Sequence, residues 1–435
     1  MNFIRKTIFI GLLLGVAPVL ATDGYFMIGY GAKSIGIGGA GVAYPQDRLI
    51  AASNPAGISK VADGIDVGAR ILFAIRDARI DCRGIGACDT VVQDRSQRDL
   101  FLVPNFGWRR GISDDIAVGV AMYANGGINT TYGKAFYDEA AARIQGLRPG
   151  DPGFPGRGKL GLDFSQLFFA PTVSWQFHPD HSIGLSPLAS IQRFSARGLE
   201  SFAAISSDST SLTGRTTDYT FGGGFRVGWL GQVHERISMG AQYTSRIWTG
   251  EATGYNGLLA ENGDHDAPPH WSVGVALNMT PRLEMVFDYQ QILWGDIEAL
   301  ANPGPTQAEL LGVITGDRLL GGSNGIGFGW IDQSVFKLGF VFQLNEAIIL
   351  RSGWNHASSQ IPNRETLINI VAPATVNDHL TVGASWKTAR FGEFTCAYMA
   401  TFKTTNRDRD SEFFGSTVHG SIYEHGLDLS WARDF

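Results

Sequence analysis

The sequence contains few cysteines, few charges and no excess of basic residues. Its 435 residues include three Cys and 17% charged side chains, and the formal net charge is −6. Three cysteines cannot build a disulfide-stabilised scaffold. A negatively charged chain without a basic face argues against nucleic-acid binding. We therefore expect no nucleic-acid partner.

Long apolar runs are also missing after the N-terminus. Apolar residues make up 44% of the chain, yet no internal stretch reaches the roughly 18 apolar residues of a membrane helix. Glycine is abundant, with 56 residues, and aromatic residues make up 11%. This composition is typical of a transmembrane β-barrel, whose sequence signal is spread over many short alternating strands.

Residues 1–21 have the pattern of a secretory signal peptide. Arg5 and Lys6 precede an apolar run over 8–16, and a segment that resembles a cleavage site follows at 19–21. The apolar run is too short to span a bilayer as a helix, which takes about 20 residues. We expect export and a mature chain that begins near Thr22.

The C-terminal residues resemble the last strand of an outer-membrane barrel. From Tyr423 to Trp431 every second residue can face lipid, and the sequence ends on Phe435. A period of two places one set of side chains on each face of a strand. Arg433 departs from this pattern, because an apolar residue is expected at that position.

Fourteen strand candidates follow from alternation and turn residues. They run approximately over 64–80, 98–110, 116–124, 162–177, 183–199, 217–230, 236–250, 269–279, 282–296, 331–344, 347–358, 379–389, 391–404 and 421–435. Six short turns alternate with seven long loops, as in an antiparallel barrel with both termini in the periplasm. We predict an all-β fold, a 14-stranded antiparallel transmembrane β-barrel over residues 64–435, in the outer membrane of a Gram-negative bacterium.

Residues 22–63 show no sustained alternation and do not fit the barrel wall. Seven glycines between positions 24 and 41 make this stretch permissive and able to pack closely. Tyr25, Phe26 and Met27 are too apolar for a solvated tail. Since a fourteen-strand barrel leaves a lumen, we predict that residues 22–63 form an N-terminal hatch that plugs the barrel. An unstructured periplasmic tail is the alternative.

The stretch around Asn54-Pro55-Ala56 resembles the hatch of the FadL/TodX-type outer-membrane transporters of hydrophobic compounds, the long-chain fatty acid transport protein family. Two further stretches, 271–296 and 350–386, also match patterns of that family. The resemblance covers essentially the whole mature chain. It implies passive transport of apolar molecules through a hatch-plugged barrel, with a lateral exit at a kinked third strand.

The resemblance also points to candidate site residues. Asn125, Gly126 and Gly127 follow the third strand, and adjacent glycines there favour a bulge. The resemblance implies a lateral opening at these residues; alternatively, they simply begin an outer loop. Arg193 and Arg197 lie where fatty-acid-carrying relatives place basic residues, so they are candidates for binding a substrate headgroup.

Other basic residues are also candidates for binding a substrate headgroup in the lumen. Arg226, Lys337 and Arg351 alternate with apolar residues on their strands and should face inward. Any of these basic side chains could instead pair with lumen carboxylates such as Glu284 or Asp288. That alternative stays open at the level of the sequence.

Catalytic and metal-binding patterns are weak. Cys82 and Cys88 could form a small disulfide after export, but the sequence does not decide this. The nine His residues show no His-x-x-x-His spacing on a helix. We expect no enzymatic activity, no metal and no cofactor.

The leading functional hypothesis is passive uptake of long-chain fatty acids across the outer membrane. Uptake of aromatic or aliphatic hydrocarbons is the alternative, and a general water-filled porin is a less favoured one. The expected partners are the hydrophobic solute, lipopolysaccharide and outer-membrane lipid, and the barrel assembly machinery. We expect a monomer.

Overall fold

The computed structural model describes residues 23–155, 158–314 and 316–435. The predicted signal peptide, residues 1–21, and Thr22 lie outside these ranges. Within them, no helix is both long enough and apolar enough to cross a membrane.

Fourteen long antiparallel strands form one closed sheet, which confirms the predicted fold. They are β1 Gly64–Asp81, β2 Leu100–Gly111, β3 Ile116–Asn129, β4 Gly161–His178, β5 His181–Arg197, β6 Asp218–His234, β7 Ile237–Thr244, β8 His270–Thr280, β9 Leu283–Ile292, β10 Gln333–Gln343, β11 Ile348–Ala357, β12 Asp378–Thr388, β13 Gly392–Thr401 and β14 Thr417–Asp434. Each strand pairs with the next, and β14 pairs with β1 in one register from Gly64↔Asp434 to Asp81↔Thr417. Closure pairs the backbone groups that hydrocarbon could not solvate.

Short strands and short helices accompany the fourteen long strands. Three short strands extend the sheet into the loops, Val91–Arg95 beside β1, Trp248–Thr249 beside β6 and Thr404–Asp408 beside β14. Within the described ranges, the α-helices are Ala32–Ile35, Phe136–Ile144, Ala260–Gly263, Glu298–Ala301 and Gln307–Leu310. The 3₁₀ helices are Arg48–Ala52, Pro55–Lys60, Glu200–Ile205, Ser209–Ser211, Thr253–Tyr255, Trp294–Asp296, Asn363–Glu365 and Ile368–Ile370.

Short turns and long loops lie at opposite ends of the barrel. The short turns are 112–115, 179–180, 235–236, 281–282, 344–347 and 389–391. The long loops are 82–99, 130–160, 198–217, 245–269, 293–332, 358–377 and 402–416. We call these the turn end and the loop end. Phe435 N donates to Asp63 O, so the C-terminus and the start of β1 meet at the turn end.

The two faces of the wall differ as the alternation predicted. In β9, Asp288 is buried whereas its neighbour Phe287 is 40% exposed on the outer surface. The predicted lumen cations Arg226, Lys337 and Arg351 are likewise buried. A charge on the lipid face costs a few kcal/mol at the bilayer midplane, whereas an inward position lets it bind polar partners.

Cys82 and Cys88 form a disulfide in the first long loop. The bonded loop contacts the helix Phe136–Ile144 of the next long loop, because Ala87 N donates to Ile144 O at 3.0 Å. The disulfide therefore braces the contact between two loops that cover the barrel.

We expect the double change Cys82→Ser and Cys88→Ser to loosen this contact while the barrel stays folded. A disulfide that closes so short a loop contributes about 2 kcal/mol through chain entropy. Local opening should then raise trypsin cleavage after the exposed Arg83, which Gly84 follows, by at least about tenfold. Cleavage rates compared by mass spectrometry would test this. Cys396→Ser, which removes the free cysteine on the outer surface, is the matched control; equal rates in all three proteins would contradict the prediction.

Candidate functional site

The N-terminal segment, residues 23–63, lies among the inward-facing side chains of the barrel. Wall residues on many strands contact it, among them Asp66 on β1, Arg226 on β6, Asp288 on β9, Lys337 on β10, Thr381 on β12 and Glu393 on β13. Several of these wall groups bind backbone atoms of the segment. Lys337 Nζ donates to Ile28 O at 2.8 Å, and Asp288 Oδ2 accepts from Gly41 N at 2.7 Å. The wall thus determines the path of the segment.

Asn54, Pro55 and Ala56 dock the segment on β4 to β6. Asn54 Oδ1 accepts from Ala56 N and caps the 3₁₀ helix, while its amide group donates to Val42 O and Trp229 O. Ala56 O accepts from the hydroxyls of Ser174 and Ser182. Each of these polar groups is buried and paired, which is what makes a buried polar contact specific.

Two wall glycines allow this close docking. A Cβ on Gly228 would overlap Asn54 Oδ1, and a Cβ on Gly184 would overlap the backbone of Pro55. The three residues predicted as a hatch motif therefore lie together against the wall. No signal in the sequence identified Gly184 and Gly228 as their partners.

The ladder between β2 and β3 stops before the loop end. Its last pair in the described strands is Asn105↔Tyr123, whereas β3 remains paired with β4 as far as Asn129. The register between β3 and β4 shifts between Ala124 and Gly126, so Asn125 is the extra residue of a bulge. Pro104 on β2 has no N–H to donate at this level.

The predicted break of the third strand is thus a bulge within a longer strand. The sequence placed the end of β3 near residue 124, but the strand continues to Asn129. Beyond Tyr123, the edge of β3 that faces β2 has lost its ladder. A lateral opening at Asn125, Gly126 and Gly127 stays a prediction.

Residues of the N-terminal segment occupy this edge of β3. Met27 N donates to Asn125 O at 3.0 Å, Gly127 N donates to Tyr25 O at 3.0 Å, and Phe26 pairs with Gly126. A Cβ on Gly126 would overlap Tyr25 O. Glycine at this position therefore permits the segment to pair with the strand.

The side chain of Asn125 joins the same junction. Its Oδ1 accepts from Tyr30 Oη at 2.8 Å, and its Nδ2 donates to Gln166 Oε1 at 2.7 Å. Asn125 is fully buried. It links the N-terminal segment to β4 across the bulge.

Aromatic side chains form a cluster between this junction and the loop end. It contains Tyr25, Phe26, Phe164, Phe194, Trp294 and Trp330, which we call the aromatic cluster. The ring centroids of Tyr25 and Trp294 are 4.7 Å apart, and those of Trp294 and Trp330 are 5.0 Å apart. The cluster brings together the N-terminal segment, the wall and the outer loops.

Two small apolar cavities lie beside the aromatic cluster. One, of about 20 Å³, is lined by residues such as Leu199, Phe202 and Leu320. The other, of about 10 Å³, is nearer the N-terminal segment, and both cavities share Leu162 and Phe328. Neither could hold an aromatic ring without movement of the surrounding side chains.

Arg193 and Arg197 do not face the lumen, which corrects the expectation drawn from the resemblance. The inward side chains of β5 are at even positions, with Phe194 and Ala196 buried. Arg193 instead lies on the outer side and pairs with Asp163 at 2.6 Å, and Arg197 is exposed. Period-two alternation places these arginines on the wrong face to bind a headgroup inside the barrel.

The inward cations bind the N-terminal segment and the wall. Arg226 donates to Ala51 O and to Tyr123 Oη, and Arg351 donates to Gln46 Oε1 and Ser385 Oγ. The sequence leaves open whether these cations bind a substrate headgroup or other groups of the protein. The contacts with the N-terminal segment and the wall support a structural role. The partners are mainly backbone and neutral groups rather than the carboxylates that the sequence suggested.

A polar cavity of about 550 Å³ opens at the turn end. Charged side chains line it, among them Lys33, Asp47, Arg48 and Glu393. Burial and, to a lesser extent, the nearby Asp66 carboxylate together raise the pKa of Asp47 to about 7, although Lys33 opposes the shift. A cavity of this character suits water and ions rather than an apolar solute. Among the described residues, no group of three or more His, Cys, Asp or Glu could hold a metal ion.

The sequence of this chain is similar to those of known proteins. A family model described as "Outer membrane protein transport protein (OMPP1/FadL/TodX)" matches residues 29–412. The chain is also 36% identical over 87 residues to an uncharacterized protein encoded in the 5' region of the phosphoenolpyruvate carboxykinase gene of Chlorobium limicola. That match covers 19% of this chain and spans only 43% of the Chlorobium protein.

Several solved structures share the fold, among them the following three. The toluene transporter TodX of Pseudomonas putida matches with a TM-score of 0.66 at 16% identity, over 95% of this chain and 100% of TodX. A FadL homologue of Pseudomonas aeruginosa gives 0.64 at 15% identity, over 94% and 100%. The toluene transporter TbuX of Ralstonia pickettii gives 0.58 at 16% identity, over 93% and 98%. At these identities the likeness establishes the fold.

We expect Gly126→Ala to displace Tyr25, Phe26 and Met27 from β3, because the added Cβ would overlap Tyr25 O. The barrel should still assemble, and its ion conductance in planar bilayers should rise above that of the wild type. Gly223→Ala is the matched control, because its Cβ would meet Leu188 O only at 3.5 Å. Wild-type conductance in a correctly assembled Gly126→Ala protein would show that the segment does not seal this edge.

Proposed function

Since the chain belongs to the OMPP1/FadL/TodX family of outer-membrane transport proteins, we propose that it carries hydrophobic molecules passively across the outer membrane. Members of this family are transport channels and not enzymes. The route that we propose begins at the outer loops, passes the aromatic cluster, and leaves the barrel sideways between β2 and β3.

One observation carries this proposal. Apolar side chains run without interruption from the outer loops, at Phe202 and Leu258, to Tyr25 and Phe26. Those two residues lie at the edge of β3 that has lost its pairing with β2. An apolar path therefore leads from the loop end to the weakest seam in the described wall.

The hydrophobic effect favours a sideways exit along this path. An apolar solute gains about 25 cal/mol for each Å² that it removes from water. A solute that leaves through the wall enters hydrocarbon and keeps that gain. A solute that passed the turn end would cross the charged cavity beside Asp47 and Arg48 and would lose it.

The N-terminal segment would act as the hatch of this path. Its middle is held firmly by Asn54 and by the ion pair of Arg48 with Asp66 at 3.2 Å. Its first residues are held to β3 by only a few backbone hydrogen bonds. We propose that residues 25–27 move aside when a solute arrives, while the rest of the segment stays in place.

Neutral solutes fit the path better than carboxylates do. Within the described part of the chain, no Lys or Arg lines either apolar cavity. A carboxylate buried there without a cation would carry a large desolvation cost. The hydrocarbon alternative is therefore better supported than long-chain fatty acids, which were the first expectation. Contact with lipopolysaccharide, assembly by the barrel machinery and a monomeric state remain part of the proposal.

We expect Phe194→Glu to lower the uptake of a monoaromatic hydrocarbon at least about tenfold, because it buries an unpaired charge in the path. Uptake of radiolabelled toluene by cells that produce each variant would measure this. Arg197→Glu, on the outer face of the same strand, is the matched control and should leave uptake unchanged.

Two further comparisons make this test decisive. Phe194→Gln is a milder variant for the case in which the glutamate prevents assembly, which heat-modified gel migration would reveal. A labelled long-chain fatty acid tested in parallel would decide between the substrate classes. Fatty-acid uptake that depends on Arg197 would contradict the preference for neutral solutes.

A further inference from the structure

Among the described residues, two neighbouring polar side chains in the apolar interior, Tyr25 and His265, have no hydrogen-bond partner. Tyr25 is fully buried, and its hydroxyl makes no hydrogen bond. His265, in the loop that precedes β8, is 6% exposed, and neither of its ring nitrogens has a partner. The two rings are neighbours, with centroids 6.2 Å apart.

The other tyrosine hydroxyls of the apolar interior near the loop end, and the indole N–H groups of the aromatic cluster, have partners. Tyr132 Oη donates to Ile370 O at 3.1 Å, and Tyr137 Oη donates to Leu367 O at 2.9 Å. Trp294 Nε1 and Trp330 Nε1 also have acceptors. Buried polar groups in native proteins are nearly always paired, because an unpaired one carries a desolvation cost. Tyr25 and His265 differ in this respect from Tyr132, Tyr137, Trp294 and Trp330.

A trapped water does not explain the exception well. The cavity beside His265 measures about 10 Å³, at the lower limit for one water molecule. A buried water needs two to four polar partners, roughly three on average. Apart from His265 and Trp330, whose Nε1 already donates to Asn369, the lining of this cavity consists of apolar residues.

The chemistry of both side chains suits a neutral ligand. Burial lowers the pKa of His265 to about 4, although the nearby Asp266 opposes the shift. At pH 7 the imidazole is thus uncharged and offers one N–H donor and one acceptor nitrogen. The Tyr25 hydroxyl can also donate or accept. Phe164 packs edge-on against His265 at 4.5 Å, so an aromatic wall surrounds these polar atoms.

We propose that the transported molecules include hydrophobic solutes with one neutral hydroxyl group, such as a phenol or an aromatic alcohol, and that His265 and Tyr25 bind this group. The inference rests on the proposed transport function and deepens it by naming a substrate class. The aromatic rings of Phe164 and Phe194 contact the apolar body of the solute. The unpartnered polar atoms of His265 in the loop and of Tyr25 in the N-terminal segment bind its oxygen.

This site also connects recognition with exit. Tyr25 contributes its hydroxyl to the site and its carbonyl oxygen to the hydrogen bond with Gly127 on β3. Since the cavity is too small for an aromatic ring, a bound solute must displace side chains around it, and we expect the Tyr25 ring, which contacts Phe164 and His265, to be one of them. The residue that senses the solute is thus the residue whose backbone occupies the unpaired strand edge.

The test compares two solutes that differ by a single hydroxyl, toluene and p-cresol. Cells that produce the wild type, Tyr25→Phe or His265→Phe are assayed for uptake of each radiolabelled solute at pH 7. We expect the ratio of p-cresol uptake to toluene uptake to fall about 3- to 10-fold in each variant, the usual effect of one hydrogen bond. Tyr132→Phe removes a hydroxyl that is already paired and should leave the ratio unchanged.

The outcomes separate this inference from the proposed function. An unchanged ratio in both variants, or wild-type uptake of toluene without p-cresol, would overturn the inference and leave hydrophobic transport standing. Wild-type uptake of neither solute would overturn both.

Thermal unfolding of the purified variants provides an independent readout. Tyr25→Phe should keep or raise the midpoint of unfolding, because the lost hydroxyl makes no hydrogen bond. Tyr132→Phe should lower the midpoint, because it leaves Ile370 O without its donor. A drop in Tyr25→Phe as large as that in Tyr132→Phe would show that the Tyr25 hydroxyl has a structural partner, and would overturn its assignment to a ligand.

Discussion

The pairing of backbone hydrogen-bonding groups is the constraint on which the rest of this structure depends. Hydrocarbon offers no partner to an N–H or a C=O group, so the strands close into a barrel and β14 returns to β1. The ladder between β2 and β3 is one exception among the described strands, because it ends at Asn105 and Tyr123 while β3 continues. Residues 25–27 supply the missing partners from inside the barrel. The wall and the N-terminal segment therefore complete one another at this seam.

The interior of the barrel has a polar half and an apolar half, because the N-terminal segment binds the wall through charged groups towards the turn end and through aromatic groups towards the loop end. Towards the turn end, the inward charges of the wall bind the segment, as Arg48 with Asp66 and Lys33 with Glu393 show. Towards the loop end, the interior is aromatic, and its polar atoms are mostly paired among themselves. A hydrophobic solute is compatible with the second half only. The physical gradient along the barrel axis thus favours an exit through the wall where the two halves meet.

The alternation of inward and outward side chains makes most of the fold predictable. The main wrong prediction, a headgroup site at Arg193 and Arg197, conflicts with that alternation. The period of two located the strands, their faces and the inward positions of Arg226, Lys337 and Arg351. The same rule applied to β5 places Phe194 inward and Arg193 outward, whereas the family resemblance points to both arginines of that strand as headgroup ligands. The end of β3 was misplaced for a different reason. A bulge at Asn125 interrupts the pattern without ending the strand, and sequence alone does not distinguish the two cases.

The sequence by itself determined the closed barrel, because alternation, turn spacing and strand number are local properties that can be counted along the chain. It also marked Asn54, Pro55 and Ala56 as a special site, although not the wall glycines that receive them. Only the tertiary structure decided which residues occupy the edge of β3, whether Cys82 pairs with Cys88, and that Tyr25 and His265 meet. These contacts join segments far apart in the chain, and they depend on how long loops and the N-terminal segment pack inside a closed wall. No local pattern encodes such packing, because it is the sum of many weak contacts across the lumen.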